Sequence, residues 1–135
     1  MIGKLWKFLF QTQKDNIGRR GEKLAANYLT ENGYHILERN LTTKQGELDL
    51  VATTPDQKTV VFVEVKTSQK KNPYHLPEFR VNHHKQRQII NLAAYWCKQS
   101  KLGHLAIRFD VIGVNLPTDD KPQIRHHEAA FNSYV

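Results

Sequence analysis

Cysteine is almost absent from this chain. The single Cys97 excludes an intramolecular disulfide and any cysteine-rich zinc site, and its position on the apolar side of a helical pattern assigns it to core packing. No apolar run is long enough to cross a bilayer, and residues 1–10 lack the small-residue cleavage site of a secretory leader. A reducing, cytoplasmic setting without stable membrane insertion is therefore expected. Acidic residues are also scarce, with 13 Asp and Glu against 20 Lys and Arg and a formal net charge of +7. That imbalance favours a polyanionic partner. With only 7 glycines and 5 prolines there is no linker-like tract, and no repeat is visible, so 135 residues read as one domain around one core.

Against this scarcity, the acids between Gly46 and Lys66 stand out because they interrupt apolar strands. In Glu47-Leu48-Asp49-Leu50-Val51 the two-residue period puts Glu47, Asp49 and Val51 on one face and Leu48 and Leu50 on the other. In Val60-Val61-Phe62-Val63-Glu64-Val65-Lys66 it puts Val60, Phe62, Glu64 and Lys66 together, with Val61, Val63 and Val65 opposite. Both strands look buried on both sides. Pro55-Asp56 between them reads as a turn, so the strands should form an antiparallel hairpin. A four-residue loop from Pro55 to Lys58 sets Asp49 opposite Glu64, with Cβ atoms about 5 Å apart. Two partly desolvated carboxylates at that separation repel unless one is protonated or a cation lies between them. Lys66, on the same face, is one such cation, and a divalent metal is the stronger candidate. Hard cations such as Mg²⁺ take oxygen ligands, commonly one or two carboxylates completed by water and phosphate.

Gly46-Glu47-Leu48-Asp49-Leu50 followed by Val63-Glu64-Val65-Lys66 resembles the pattern of the PD-(D/E)xK nuclease superfamily. Within it, the sequence is most similar to the YraN-like family of predicted endonucleases, related to archaeal Holliday-junction resolvases. The Pro55-Asp56 pair also spells part of the superfamily's name with Glu64-Val65-Lys66, but the hairpin puts it in the turn, and the metal-binding aspartate is assigned to Asp49.

A helix is expected from Asp15 or Asn16 to a C-cap at Gly33, with Ile17, Leu24, Ala25, Tyr28 and Leu29 inward. Glu22 shares a flank with Ala25 and Leu29 and is angled toward the interior. By the resemblance it is a third acid of the site, reaching the metal directly or through water. Before this helix, Ile2, Leu5, Trp6 and Leu9 recur at helical spacing, so residues 1–14 read as an amphipathic arm and residues 15–135 as the domain. A first strand follows from Tyr34 to Leu41. Gln69 to Val81, with Pro73 and Pro77, reads as a loop beside the site, whose Lys70, Lys71, Tyr74 and Phe79 suit a strand of nucleic acid. A second helix from about Asn82 to Ser100 carries Ile89, Leu92, Ala93, Trp96 and Cys97 inward. Its first turns hold His83, His84, Lys85 and Arg87, which oppose the helix dipole, a cost offset if an anion docks there. Lys85 coincides with a lysine typical of the family and is assigned a role in positioning phosphate, while His83 and His84 are assigned to capping and solvating the helix. A strand from Ala106 to Val114 holds Arg108 and Asp110, assigned to structure, and Gln123 to Phe131 supplies an edge strand.

The order helix, three strands, helix, strand matches the αβββαβ core of the restriction-endonuclease-like fold, an α/β class with a mixed sheet flanked by helices. The resemblance implies metal-assisted phosphodiester hydrolysis in nucleic acid, expected to be DNA; cleavage of branched DNA is suggested by the related resolvases alone. Asp49, Glu64 and the carbonyl of Val65 would hold Mg²⁺ or Mn²⁺, Glu22 would complete the outer shell and Lys66 would orient the attacking water. Symmetric cleavage of a junction would require a two-fold homodimer, for which no interface is legible. The rival expectation is a subunit that keeps the nuclease fold and binds nucleic acid without cutting it.

Overall fold

The computed structural model describes residues 2–70 and 76–133, with side chains described from residue 16 onward. Lys71 and Tyr74, and the apolar stripe of residues 1–14, lie outside the described residues or side chains.

The chain forms α1 (Ile2–Glu31), β1 (His35–Thr43), β2 (Gly46–Thr53), β3 (Thr59–Ser68), a 3-10 turn (Pro77–Arg80), α2 (His83–Gln99), β4 (Ala106–Asn115) and β5 (Gln123–Phe131). This is an α/β fold with a five-stranded sheet in the order β1-β2-β3-β4-β5. The sheet is mixed: only β3 and β4 are parallel. Parallel neighbours need a long crossover, which α2 supplies.

Two cores sandwich the sheet. Ala25, Ala26 and Leu29 of α1 meet Leu50, Ala52, Val61, Val63, Val65, Ile112 and Val114 on one face. Ile89, Leu92, Ala93 and Trp96 of α2 meet Leu48, Val51, Val60, Phe62 and Phe109 on the other. Successive residues of β3 therefore enter different cores, which is why its sequence is an almost unbroken apolar run. Burying β3 on both faces makes any charged residue along it an expensive exception.

α1 does not begin at Asp15 or Asn16 as expected but continues back to Ile2, because no proline or glycine pair interrupts the backbone before Gly18. Its end matches the expectation. Gly33 adopts φ +87°, which lets Tyr34 N–H reach Leu29 O (2.9 Å) and Gly33 N–H reach Thr30 O (3.0 Å), the paired bonds of a Schellman cap. α2 is capped by Asn82, whose side chain accepts from Lys85 N–H at 2.9 Å. His83 and His84 are exposed in the first turn and do not cap it. Among the described residues, no helix is long and apolar enough to cross a membrane.

Candidate active site

The turn between β2 and β3 forms where Pro55-Asp56 placed it. Asp56 Oδ1 accepts from Thr54 Oγ1 (2.6 Å) and Lys58 N–H (3.0 Å), and Thr54 N–H donates to Thr59 O (3.0 Å). The ladder then runs in the expected register from Thr53 opposite Val60 to Leu50 opposite Val63. There the paired residues stop, one step before Asp49 and Glu64. Asp49 Oδ2 accepts the N–H of Val65 at 2.7 Å, so a carboxylate satisfies a backbone donor of the neighbouring strand. The side-chain alternation of β2 also breaks here. Leu48 lies in the α2-side core and Leu50 in the α1-side core, which corrects the expectation that the two share a face. In β3 the alternation holds as expected through Val65.

Glu64 is 5% exposed. Its Oε1 lies 3.9 Å from Lys66 Nζ and 3.8 Å from Lys85 Nζ. Its Oε2 is buried and meets no hydrogen-bond partner among the described residues. A buried carboxylate oxygen left unpaired is costly and rare. Glu22, from α1, lines the same cavity as Asp49, which brings an acid distant in sequence onto the hairpin. Close packing makes this meeting possible. A Cβ at Gly21 would stand 2.0 Å from Thr67 Oγ1, so only glycine allows α1 to press against β3 at that point.

The electrostatics follow from three acids crowded together. Burial, then repulsion and hydrogen bonding from Asp49, lift Glu22 from the ordinary 4.5 to about 7. Burial, then the charge of Asp49, lifts Glu64 to about 8 against the pull of Lys85 and Lys66. Burial also raises Asp49, although the Val65 N–H, Glu22, Lys85 and Lys66 all oppose the rise. Each group resists ionisation chiefly because it is buried, and for Glu22 and Glu64 the nearby charge of Asp49 adds to the effect. The cluster is short of positive charge.

Glu22, Asp49, Glu64, Val65, Lys66 and Lys85 are thus brought together by four elements. Lys85 does more than was assigned to it: its Nζ donates to Glu47 O at 3.0 Å and stands beside Glu64. Glu47 itself is exposed at the rim. Arg87 is exposed and forms no ion pair with an acid among the described residues. Lys70 is exposed, and its backbone is fixed by Ser68 Oγ accepting from its N–H (3.1 Å) and by Asn115 Nδ2 donating to its carbonyl (2.9 Å). No three acidic, histidine or cysteine side chains among the described residues close on a single point suited to a metal. Asp110 is structural, as expected: it is fully buried, held by a two-bond pair with Arg108 (2.8 and 2.7 Å) and by His126 Nε2 (2.7 Å).

Two cavities open onto the cluster. One of about 170 Å³ is lined by Arg19, Glu22, Lys23, Arg39, Asn40, Asp49 and Leu50. The other, about 590 Å³, includes Glu22, Val65, Thr67, Ser68, Lys70 and Arg80 in its lining. The sequence reading missed Arg19 and Lys23; the i–3 spacing of Arg19 from Glu22 was available to place it, whereas Lys23 at i+1 carries no such signal. Arg80 carries no such signal, since a 3-10 turn delivers it.

Residues 21–114 match the family described as "Uncharacterised protein family UPF0102". A UPF0102 protein of Pelobacter propionicus is 43% identical over 116 residues, covering 86% of this chain and 82% of the relative. Those of Trichlorobacter lovleyi (42% over 116 residues, 86% and 90% covered) and Geobacter sulfurreducens (43% over 115 residues, 85% and 88% covered) are similarly close. The matched region contains every member of the acid cluster together with Lys66 and Lys85, and the chain belongs to the UPF0102 family.

Proposed function

We propose that this protein is a divalent-metal-dependent nuclease of the PD-(D/E)xK type, with a restriction-endonuclease-like core, hydrolysing phosphodiester bonds within nucleic acid. The observation that carries this reading is the buried, partnerless Glu64 Oε2 beside two further acids that repel it and each other. Such an arrangement is disfavoured in a purely structural core, where buried charges are paired. It suits a hard cation, for which carboxylate oxygens are the fitting donors. Asp49 and Glu64, with the carbonyl of Val65, would hold Mg²⁺ or Mn²⁺, and Glu22 would join them directly or through water. Because the acids do not close on a single point among the described residues, binding would require them to reorient around the ion. When bound, the cation supplies the charge that polarises a phosphodiester and activates water.

The chain's own groups supply the rest. Lys66 lies at the mouth of the cluster, half-exposed, where it orients a water and offsets charge developing on the phosphate. Lys85 anchors to Glu47 O and holds Glu64 in place. Glu22, beside Asp49 in the lining of the smaller cavity, is placed to take the proton released by the attacking water. Water adds to phosphorus, one P–O ester bond breaks, and the products are a phosphomonoester and a hydroxyl terminus.

The test is a cleavage panel over single-stranded, duplex and four-way-branched DNA and over RNA, each with Mg²⁺ and with Mn²⁺. Cleavage by the wild type that is lost in Asp49→Asn and in Lys66→Ala supports the reading. Binding without cleavage of any substrate would transfer the support to the non-catalytic nucleic-acid-binding subunit.

A further inference from the structure

A phosphate that approaches three carboxylates is repelled unless positive charge surrounds its path, and the two nearest lysines, Lys66 and Lys85, are already engaged with Glu64. Among the described residues, further cations line the two cavities that share Glu22. Arg19, Lys23 and Arg39 line the smaller cavity. Arg19 and Lys23 sit three residues before and one after Glu22 on α1, and Arg39 sits on β1 opposite Leu50, next to Asp49. None of the three is within ion-pair distance of an acid among the described residues, whereas Arg108 and Arg125 are both paired.

Lys70 and Arg80 line the larger cavity. Among the described residues Arg80 is held by carbonyls, Nη2 to Thr67 O at 3.2 Å and Nε to Pro77 O at 3.4 Å, which leave its charge unneutralised. The turn bearing it is fastened to the sheet through Glu78, whose carboxylate takes Arg125 Nε at 2.6 Å and His127 Nε2 at 2.9 Å. Asn115 joins the same clamp, with its Oδ1 on Arg125 and its Nδ2 on the Lys70 carbonyl. A buried ion pair thus fixes an exposed arginine in place at the cavity wall.

We propose that the two cavities are successive stretches of one track for a polynucleotide backbone that crosses Glu22. Arg19, Lys23 and Arg39 hold phosphate on one side of the reacting linkage, and Lys70 and Arg80 hold phosphate on the other. The ligand class is a chain-internal phosphodiester with backbone continuing in both directions, which a mononucleotide or a chain end does not supply. This deepens the nuclease reading and rests on it for the identity of the central linkage, while the track itself is tested without any reaction.

The experiment measures binding of a fluorescently labelled single-stranded oligodeoxynucleotide by anisotropy across a salt series, with chelator present so that no cleavage occurs. Arg39→Ala and Arg80→Ala, both exposed in the fold, should each flatten the slope of log affinity against log salt by about 0.7, the single-strand value per phosphate contact. The double variant should flatten it by about 1.4, because the two residues meet different phosphates. Lys58→Ala, in the hairpin turn at the far end of β3, should leave the slope unchanged. If either single variant keeps the wild-type slope, or if the double variant matches one single, the two-sided track is wrong. Slopes as expected together with no cleavage in any metal would overturn the nuclease reading and leave the track standing.

Discussion

Asp49 Oδ2 accepts the backbone N–H of Val65 at 2.7 Å, one residue past the last paired position of the β2–β3 ladder. The contact gives Asp49 two tasks that substitution can separate. An asparagine keeps an oxygen for the Val65 N–H and removes a repelling charge; an alanine removes both. In the absence of metal, Asp49→Asn should unfold at or above the wild-type temperature. Asp49→Ala should be less stable than Asp49→Asn by about 1–3 kcal/mol, the usual penalty for an orphaned buried donor. Urea denaturation of the two variants checks this, and equal stabilities would mean that the Val65 contact contributes nothing.

The close approach of α1 to β3 at Gly21 gives a second expectation. Gly21→Ala improves helix propensity by about 0.5–1 kcal/mol, yet its Cβ meets Thr67 Oγ1 at 2.0 Å and Cγ2 at 2.9 Å. The overpacking should dominate, with a net loss of about 1–3 kcal/mol in chemical denaturation. Thr67→Ala in the same chain should recover part of it. A stabilised Gly21→Ala would show that the helix stands further from the strand.

Glu78 sets the behaviour in acid. Burial alone would raise its pKa, but hydrogen bonds from Arg125 and His127 and the Arg125 charge outweigh it and hold Glu78 at about 2. Because the folded value lies below the ordinary 4.5, the stabilisation is present above that pH and is lost as pH falls toward 2. At neutral pH it is of order 3 kcal/mol. The stability difference between wild type and Glu78→Gln, followed by urea denaturation, should be constant above pH 5 and shrink through the window below about 4.5. A difference that does not change with pH would contradict the ion-pair origin.

Lys85 separates catalysis from binding. Its Nζ is spent on Glu47 O and Glu64, so Lys85→Ala should lower the salt slope of nucleic-acid binding by well under one unit, less than a free phosphate contact would. Cleavage should fall much further, since Glu64 loses its restraint. A slope change near the full single-strand value of about 0.7 would return Lys85 to the phosphate-contact role expected from the sequence.

Much of this arrangement was legible before the fold. The turn chemistry of Pro55-Asp56 fixed the hairpin register, and the apolar run of β3 marked Glu64 as an acid in a buried place. The flank position of Glu22 pointed it inward, and it lines one cavity with Asp49. What escaped had physical reasons. A two-residue period cannot foresee a strand whose side chains change sides, as Leu48 and Leu50 do on either side of Asp49, whose carboxylate accepts a backbone N–H of the neighbouring strand. Glu78 and Arg125 are far apart in the chain and carry no shared pattern, so their clamp, and the place it gives Arg80, emerge only from the fold. Asn82 displaced the histidines as the cap of α2 because its short side chain reaches the Lys85 N–H directly.

The central claim is that the acid cluster is built to hold a divalent cation. Isothermal titration of Mn²⁺ into the wild-type protein, with and without a bound oligonucleotide, tests it most directly. One saturable site should appear, with a rise in melting temperature on metal addition, and Asp49→Asn and Glu64→Gln should each abolish both. No binding by the wild type even with nucleic acid present, or unchanged binding in both variants, would contradict it.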